Sequence, residues 1–285
     1  MDKLTVVWQR NKDLTWETDW VHYLFSDITI EIIDNLDHTL YIDNSVLIDT
    51  LHAAPYHNEY AKEMKRRSLR FGLVHLTDEG SDNDISSYPI CDFVVRNFYR
   101  QGMPSHVLTV PLGWTVGNRN LVGDKSATQR PLHWSCIVHR LDMSRVEASQ
   151  VFGNDQNGLF YAVDHHGPRL STEKMSEIYR DSIFVLCPSG RITPESFRVF
   201  EALESGAIPV VTKTDYWQLC YGIDFPAIQV NHWREARATI NIMLSDSNLL
   251  EKYRRRCVEW WAESKITTKR EVEELVQRTI FNKGQ

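Results

Sequence analysis

Arg198 and Glu201 stand three residues apart, with Ser196 just ahead of them and the loop Pro188-Ser189-Gly190 upstream. On a helix, residues three apart are neighbours, so a guanidinium and a carboxylate would share one face. The free N–H groups of a helix start, the helix dipole and a nearby arginine together make an anion site. A carboxylate one turn further on can accept hydrogen bonds from the hydroxyls of a sugar. The chemistry that these types and spacings fit is the binding of a nucleoside diphosphate. The same pattern also fits a buried crossover in which Arg198 and Glu201 form only a surface pair, and the pattern alone leaves both open.

The elements that would position these residues are legible around them. Ile183 to Cys187 is a short unbroken apolar run, as expected of a strand buried on both faces of a parallel sheet. Pro188-Ser189-Gly190 breaks it. Thr193-Pro194-Glu195 has the form of a helix start, with Thr193 as N-cap and Pro194 at the first helical position. Gly206 stands where a left-handed residue closes a helix, and Ile208-Pro209-Val210-Val211 begins another strand. At about 100° per residue, Phe197, Val199, Phe200 and Leu203 fall on one arc, and Arg198 and Glu201 fall on the other.

From Pro188 to Val211 the chain resembles the donor-binding core of the exostosin family of inverting glycosyltransferases. There a proline- and glycine-containing loop precedes S-x-R-x-x-E-A, a small residue, a glycine and I-P-V. The matching residues are Ser196, Arg198, Glu201, Ala202, Gly206, Ile208, Pro209 and Val210. The resemblance is specific over about thirty residues, and the rest of the chain agrees only in the order of its elements. A related segment occurs in α3-fucosyltransferases, but their phenylalanine–glutamate–asparagine and threonine–glutamate–lysine signatures are absent. The short stand-alone exostosin-like proteins of large algal viruses offer a further likeness.

The net charge of −6 over 285 residues argues against a protein built mainly to hold nucleic acid. A hydrophobic share of 42% is that of an ordinary globular chain, long enough for two domains. Cys91, Cys136, Cys187, Cys220 and Cys257 are odd in number and widely spaced, which suggests core residues in a reducing compartment and no structural zinc. There is no apolar run of membrane-spanning length, and Met1-Asp2-Lys3 leads almost directly into a strand, so a cytoplasmic location without signal peptide is expected. Animal and plant exostosins typically carry a Golgi anchor; its absence points to a bacterial or viral member or to a chain trimmed of its anchor.

In the first half, apolar runs at Leu4–Trp8, Ile28–Ile33, Ser45–Asp49, Gly72–Leu76, Phe93–Val95 and Val107–Val110 alternate with helical stretches at 15–25 and 58–70. This predicts a doubly wound parallel sheet, whose ligands sit beyond the carboxyl ends of the strands. After the fourth run come Asp78 and Glu79, then Gly80. Inverting transfer needs a carboxylate to take the proton of the attacking hydroxyl, so Glu79 or Asp78 is the expected base; an acidic solvated turn is the bland alternative. Rivals at other strand ends are Asp49, His52, Arg96, Asn97, Tyr99 and Arg100, with Trp114 able to stack on a sugar. Trp8, Gln9 and Arg10 are candidates for an acceptor groove.

Residues 115–131 are polar and aperiodic and read as an interdomain linker. Leu132 to Val138 starts a second sheet. Ser144 with Glu147 resembles a capping box, placing Arg145 in a first helical turn. In the family, the first loop of this domain supplies a basic residue near the diphosphate, and Arg140 and Arg145 are the candidates. Asp164-His165-His166-Gly167 reads as a loop, Lys213 stands at a strand exit, and Arg254-Arg255-Arg256 reads as a solvated helix face.

These readings predict an α/β chain with two facing Rossmann-like domains of the GT-B type and an active site in the interdomain cleft. Residues 1–120 would bind the acceptor. Residues 121–285 would bind the nucleotide sugar through Arg140, Arg145, Pro188, Ser189, Gly190, Ser196, Arg198 and Glu201, with the last helix crossing back to the first domain. The resemblance implies a UDP-sugar donor, UDP-xylose preferred, a glycan or glycoprotein acceptor, and no metal or other cofactor. Asp82-Asn83-Asp84 is a formal D-x-D, but it lies on the acceptor side. The alternatives are a GDP-fucose-dependent enzyme and a non-catalytic glycan-binding protein on the same fold.

Overall fold

A computed structural model of the chain describes residues 3–9, 16–34, 39–50, 56–76, 78–118, 125–139, 143–163, 170–190 and 192–281. The chain divides into two compact units: unit 1 comprises residues 1–112 and 265–285, and unit 2 residues 113–264. Arg10, His52, Arg140 and the pair His165-His166 lie outside the described residues. No described helix is long and apolar enough to cross a membrane.

Unit 1 contains β1 (Leu4–Gln9), α1 (Thr18–Leu24), β2 (Ile30–Asp34), β3 (Ser45–Asp49), α2 (His57–Arg66), β4 (Phe71–His75), β5 (Phe93–Arg96) and β6 (Val107–Thr109). The strands form one sheet in the order β2-β1-β3-β4-β5-β6, and every pairing is parallel. Strands β3, β4 and β5 are buried along their whole length, which is why their sequences are apolar without alternation.

Because successive strand side chains alternate between faces, residues two apart share one. Val7, Leu47, Leu73 and Val94 lie in one register row and belong to the core that includes Tyr60, Ala61 and Met64 of α2. Two residues further on, at the carboxyl ends, the next row on that face is polar: Gln9, Asp49, His75 and Arg96. All four are at most 1% exposed.

Unit 2 contains β7 (Leu132–His139), α3 (Met143–Phe152), β8 (Gly158–Val163), α4 (Thr172–Asp181), β9 (Ser182–Leu186), α5 (Phe197–Glu204), β10 (Ile208–Thr212), α6 (Asp215–Tyr221), β11 (Ile228–Val230) and α7 (Trp233–Leu244). The strand order is β11-β10-β9-β7-β8, again wholly parallel. Gly158 faces Trp134 across β7 and β8 so closely that a Cβ there would meet the indole at 2.1 Å. Helix α8 (Ser247–Val276) starts in unit 2 and ends in unit 1.

Gly206 closes α5 as the sequence predicts. Its φ is 67°, and Gly206 N–H and Ala207 N–H return to the carbonyls of Leu203 and Ala202. Two other local cues are corrected. Helix α5 begins at Phe197 with Ser196 as N-cap, so Thr193, Pro194 and Glu195 precede it. Helix α3 already includes Ser144, and Glu147 accepts a hydrogen bond from Trp233 N–H at 3.2 Å instead of closing a capping box. In both cases a tertiary partner claims the carboxylate that local spacing assigns to a helix start.

Candidate functional site

In unit 2 two of the predicted donor residues, Arg145 and Ser189, meet beyond the carboxyl ends of the strands. Strand β9 is buried throughout, and Cys187 and Pro188 continue that burial before Ser189 and Gly190 emerge. Arg145, in the first turn of α3, reaches this loop: its Nη2 donates to Ser189 O at 3.3 Å. The Ser189 hydroxyl lies 3.2 Å from the hydroxyl of Thr212, at the end of β10. The exits of three adjacent strands, β7, β9 and β10, are thereby drawn together.

The segment before α5 is fixed through Glu195. This carboxylate is 1% exposed and accepts hydrogen bonds from Tyr221 Oη at 2.6 Å and from Tyr216 Oη, both on α6. That grip explains why Pro194-Glu195 belongs to the loop. It delivers Ser196 in extended conformation, φ −150° and ψ 155°, at the N-cap of α5. The Ser196 hydroxyl is buried yet makes no hydrogen bond. Two residues further on, the half-buried Arg198 also has a buried Nε without a partner. Ser144 Oγ, whose spacing to Glu147 resembles a cap, is a third buried polar atom without one.

Glu201 is not the surface partner that the bland reading allows, being only 2% exposed. Its Oε1 accepts from the Thr115 hydroxyl at 2.5 Å, Asn118 Nδ2 at 3.2 Å and Thr115 N–H at 3.4 Å. Asn118 is held in turn by the Ser176 hydroxyl at 2.5 Å. Burial pushes the Glu201 carboxyl above the usual range, while the Thr115 and Asn118 donors and the charge of Arg198 pull it back. No described residue donates to Oε2, so one oxygen is fixed and the other is left to accept. The thiol of Cys136 is buried and pushed up to about 12, and that of Cys187 is raised by burial as well. Both remain uncharged beside Arg198. None of the five cysteines forms a disulfide.

In unit 1 the two adjacent carboxylates have different surroundings. Asp78 is 2% exposed and both its oxygens are engaged: Oδ2 by Arg96 Nη2 at 3.0 Å, Oδ1 by Asn83 N–H at 3.0 Å. Glu79 stands half-buried in the turn that follows. Asp49 is buried too, and its Oδ2 accepts from the backbone N–H of His57 at 2.9 Å and lies 3.0 Å from His57 Nδ1. His75 is held well below its ordinary value by burial, with His57 and Arg96 adding to the effect.

Several sequence candidates turn out to be packing residues. Trp114 is fully buried in unit 2 and meets Trp261 edge-on at 6.2 Å. Trp8 is buried and donates from Nε1 to the Thr50 hydroxyl at 3.1 Å. Asn97 donates to Leu76 O at 2.8 Å. Sequence reasoning missed His57, Arg130 and Glu195, whose partners lie far along the chain. Arg130 is buried and donates to the carbonyls of Tyr179, Ser182 and Ser205 at 3.3, 2.8 and 2.9 Å.

Residues 162–281 match the model of the RXYLT1 C-terminal domain. No curated protein matches the chain by sequence. Among solved structures, the chain is similar to Anabaena Alr3699/HepE in complex with UDP (TM-score 0.61, 9% identity, 97% of this chain and 100% of that one). It is similar to an alpha-glucosyltransferase (AGT) in complex with UDP (TM-score 0.61, 11% identity, 96% and 99%). It is also similar to an alpha1,3-fucosyltransferase (TM-score 0.58, 10% identity, 99% and 91%). At such identities the likeness speaks to fold, and it extends over both units. Residues 162–281 thus match the RXYLT1 C-terminal domain, and the chain as a whole has the fold of the GT-B glycosyltransferases.

Proposed function

We propose that the protein transfers a sugar from a nucleotide-sugar donor, held by unit 2, to a hydroxyl of a glycan acceptor, held by unit 1. The observation that carries this reading is the start of α5, where the Ser196 hydroxyl and Arg198 Nε are buried without partners and the buried Glu201 follows within the same helix. An orphaned buried donor costs on the order of 1–3 kcal/mol. Phosphate oxygens at Ser196 and Arg198, and a ribose hydroxyl at Glu201, would remove that cost. The fold neighbours crystallised with UDP favour a uridine nucleotide. The match to a xylosyltransferase-type domain favours UDP-xylose among UDP-sugars.

The chemistry follows from the residues. The acceptor oxygen attacks the anomeric carbon from the face opposite the diphosphate. Its proton passes to a carboxylate of unit 1, the bond from the anomeric carbon to the phosphate oxygen breaks, and UDP leaves with an added negative charge. Glu79 is the better base, because both oxygens of Asp78 are committed to Arg96 and Asn83. Arg198, Arg145 and the α5 N-terminus supply positive charge to the leaving diphosphate.

The test is calorimetric titration with UDP and GDP, with and without EDTA, followed by a screen of UDP-sugars for UDP release. UDP binding that is indifferent to EDTA is the expected result. A preference for GDP would favour the fucosyltransferase alternative, which rests on the third fold neighbour. No binding of either nucleotide would overturn the donor site and leave a glycan-binding protein.

A further inference from the structure

The carboxyl-end row of unit 1 does more than fill space. Arg96 is fully buried and spends its guanidinium on five acceptors: Asp78 Oδ2, Tyr88 Oη, Met103 Sδ, Asn97 O and Phe98 O. His57 faces Asp49 with Nδ1 and Asp84 O, at 3.0 Å, with Nε2. His75 lies 2.8 Å from Tyr88 Oη through Nδ1 and 3.1 Å from Asn83 Nδ2 through Nε2. At the rim, Asn58 donates to Asp84 O at 2.6 Å and accepts from Ser87 N–H at 3.1 Å. Arg100 adds a bond to Asn83 O at 3.4 Å.

All these groups grip one segment, the loop from Asp78 to Tyr88. It is held at Asp78, Asn83, Asp84, Ser87 and Tyr88 by side chains from β4, α2 and the β5 end, with Asp49 of β3 behind His57. Between the first two grips an arch of four residues, Glu79 to Asp82, projects, with Ser81 in the left-handed region at φ 51°. Burying an arginine and a carboxylate is poor value as stability, since a packed apolar pair often does as well. What a satisfied buried network supplies is a single geometry.

We propose that Arg96, His57 and Asn58 are positioning residues that fix the Glu79 arch at the carboxyl end of the unit 1 sheet, where the acceptor hydroxyl must meet its base. This rests on the reading of Glu79 as base. Displacing a catalytic group by about an ångström can cost on the order of a hundredfold in rate, so loosening the grips lowers turnover without touching the donor site.

The test uses Asn58→Ala, which removes two rim grips and no buried charge, and Arg96→Lys, which keeps the charge but loses the fork. UDP affinity is measured by calorimetry, UDP release from UDP-sugars by turnover, and the amides of 79–84 by hydrogen exchange. Expected for Asn58→Ala are wild-type UDP affinity, a kcat lower by about tenfold or more, and faster exchange confined to 79–84. Wild-type kcat and exchange in Asn58→Ala would overturn the proposal, whether or not Arg96→Lys folds. Glu79→Gln separates the two readings. If it turns over normally, the base reading fails by itself, and the exchange data alone then decide whether the row holds the arch.

Discussion

Thr115 and Glu201, 86 residues apart in sequence, meet in unit 2 through a 2.5 Å hydrogen bond from the threonine hydroxyl to Oε1. Thr115→Val removes a donor from a buried carboxylate and is expected to destabilise the protein by about 1.5–3 kcal/mol. Burial already raises the Glu201 carboxyl, so the folded state holds its proton where the unfolded chain has released it, and stability falls as pH rises through that window. Losing Thr115 Oγ1 raises it further. The deficit of the variant should therefore grow with pH and shrink in acid, as read by denaturant unfolding across pH.

Two arginines of unit 2 should respond in opposite ways. Arg198, with Nε lacking a partner, is expected to cost little fold stability on Arg198→Ala but to weaken UDP binding by about 1.5–3 kcal/mol. Arg130, whose guanidinium ties three backbone carbonyls and is lowered to about 10 chiefly by burial, should cost fold stability on Arg130→Met while the folded fraction binds UDP normally. Thermal unfolding and calorimetry on the same two samples distinguish these outcomes.

The adjacent acids of unit 1 should likewise separate. Asp78→Asn breaks a pair in which both side chains are at most 1% exposed, and a loss of about 3–5 kcal/mol is expected. Glu79→Gln should cost much less stability than Asp78→Asn, leave UDP affinity unchanged and abolish transfer. Equal stability loss in both variants would contradict the distinction.

Glu17, 3% exposed at the start of α1, is pushed up to about 7 from 4.5 by burial. Its folded form keeps a proton that the unfolded chain gives up, so it costs stability increasingly between pH 4.5 and 7. A gap of that size corresponds to about 3 kcal/mol. Glu17→Gln should raise the melting temperature above pH 7 and leave it unchanged near pH 4.5, although a negative charge at a helix start is ordinarily favourable.

What the sequence discloses follows from the range of the forces involved. Ser45–Asp49 is a strand with the bounds read from its apolar run, because burial on both faces is written into every residue. Gly206 is legible because a positive φ is a local demand. Thr193-Pro194-Glu195 misleads because the tyrosines that claim Glu195 come 21 and 26 residues later. The adjacency of Asp78 and Glu79 is visible, but not that Arg96 singles out one of them. Ser196, Arg198 and Glu201 are legible as sequence neighbours because one short helix and its N-cap carry all three.

Unit 1 is built from two separate stretches of chain, 1–112 and 265–285, while unit 2 is continuous from 113 to 264. The later stretch buries Val272, Val276 and Ile280 in unit 1 and pairs Lys269 with Asp27 at 2.7 Å. During synthesis, then, the sheet that is made first receives its closing helix last, after the whole of the second unit has left the ribosome. The usual rule that the N-terminal domain folds first is inverted for this chain: unit 2 can reach its native state while unit 1 still lacks a wall.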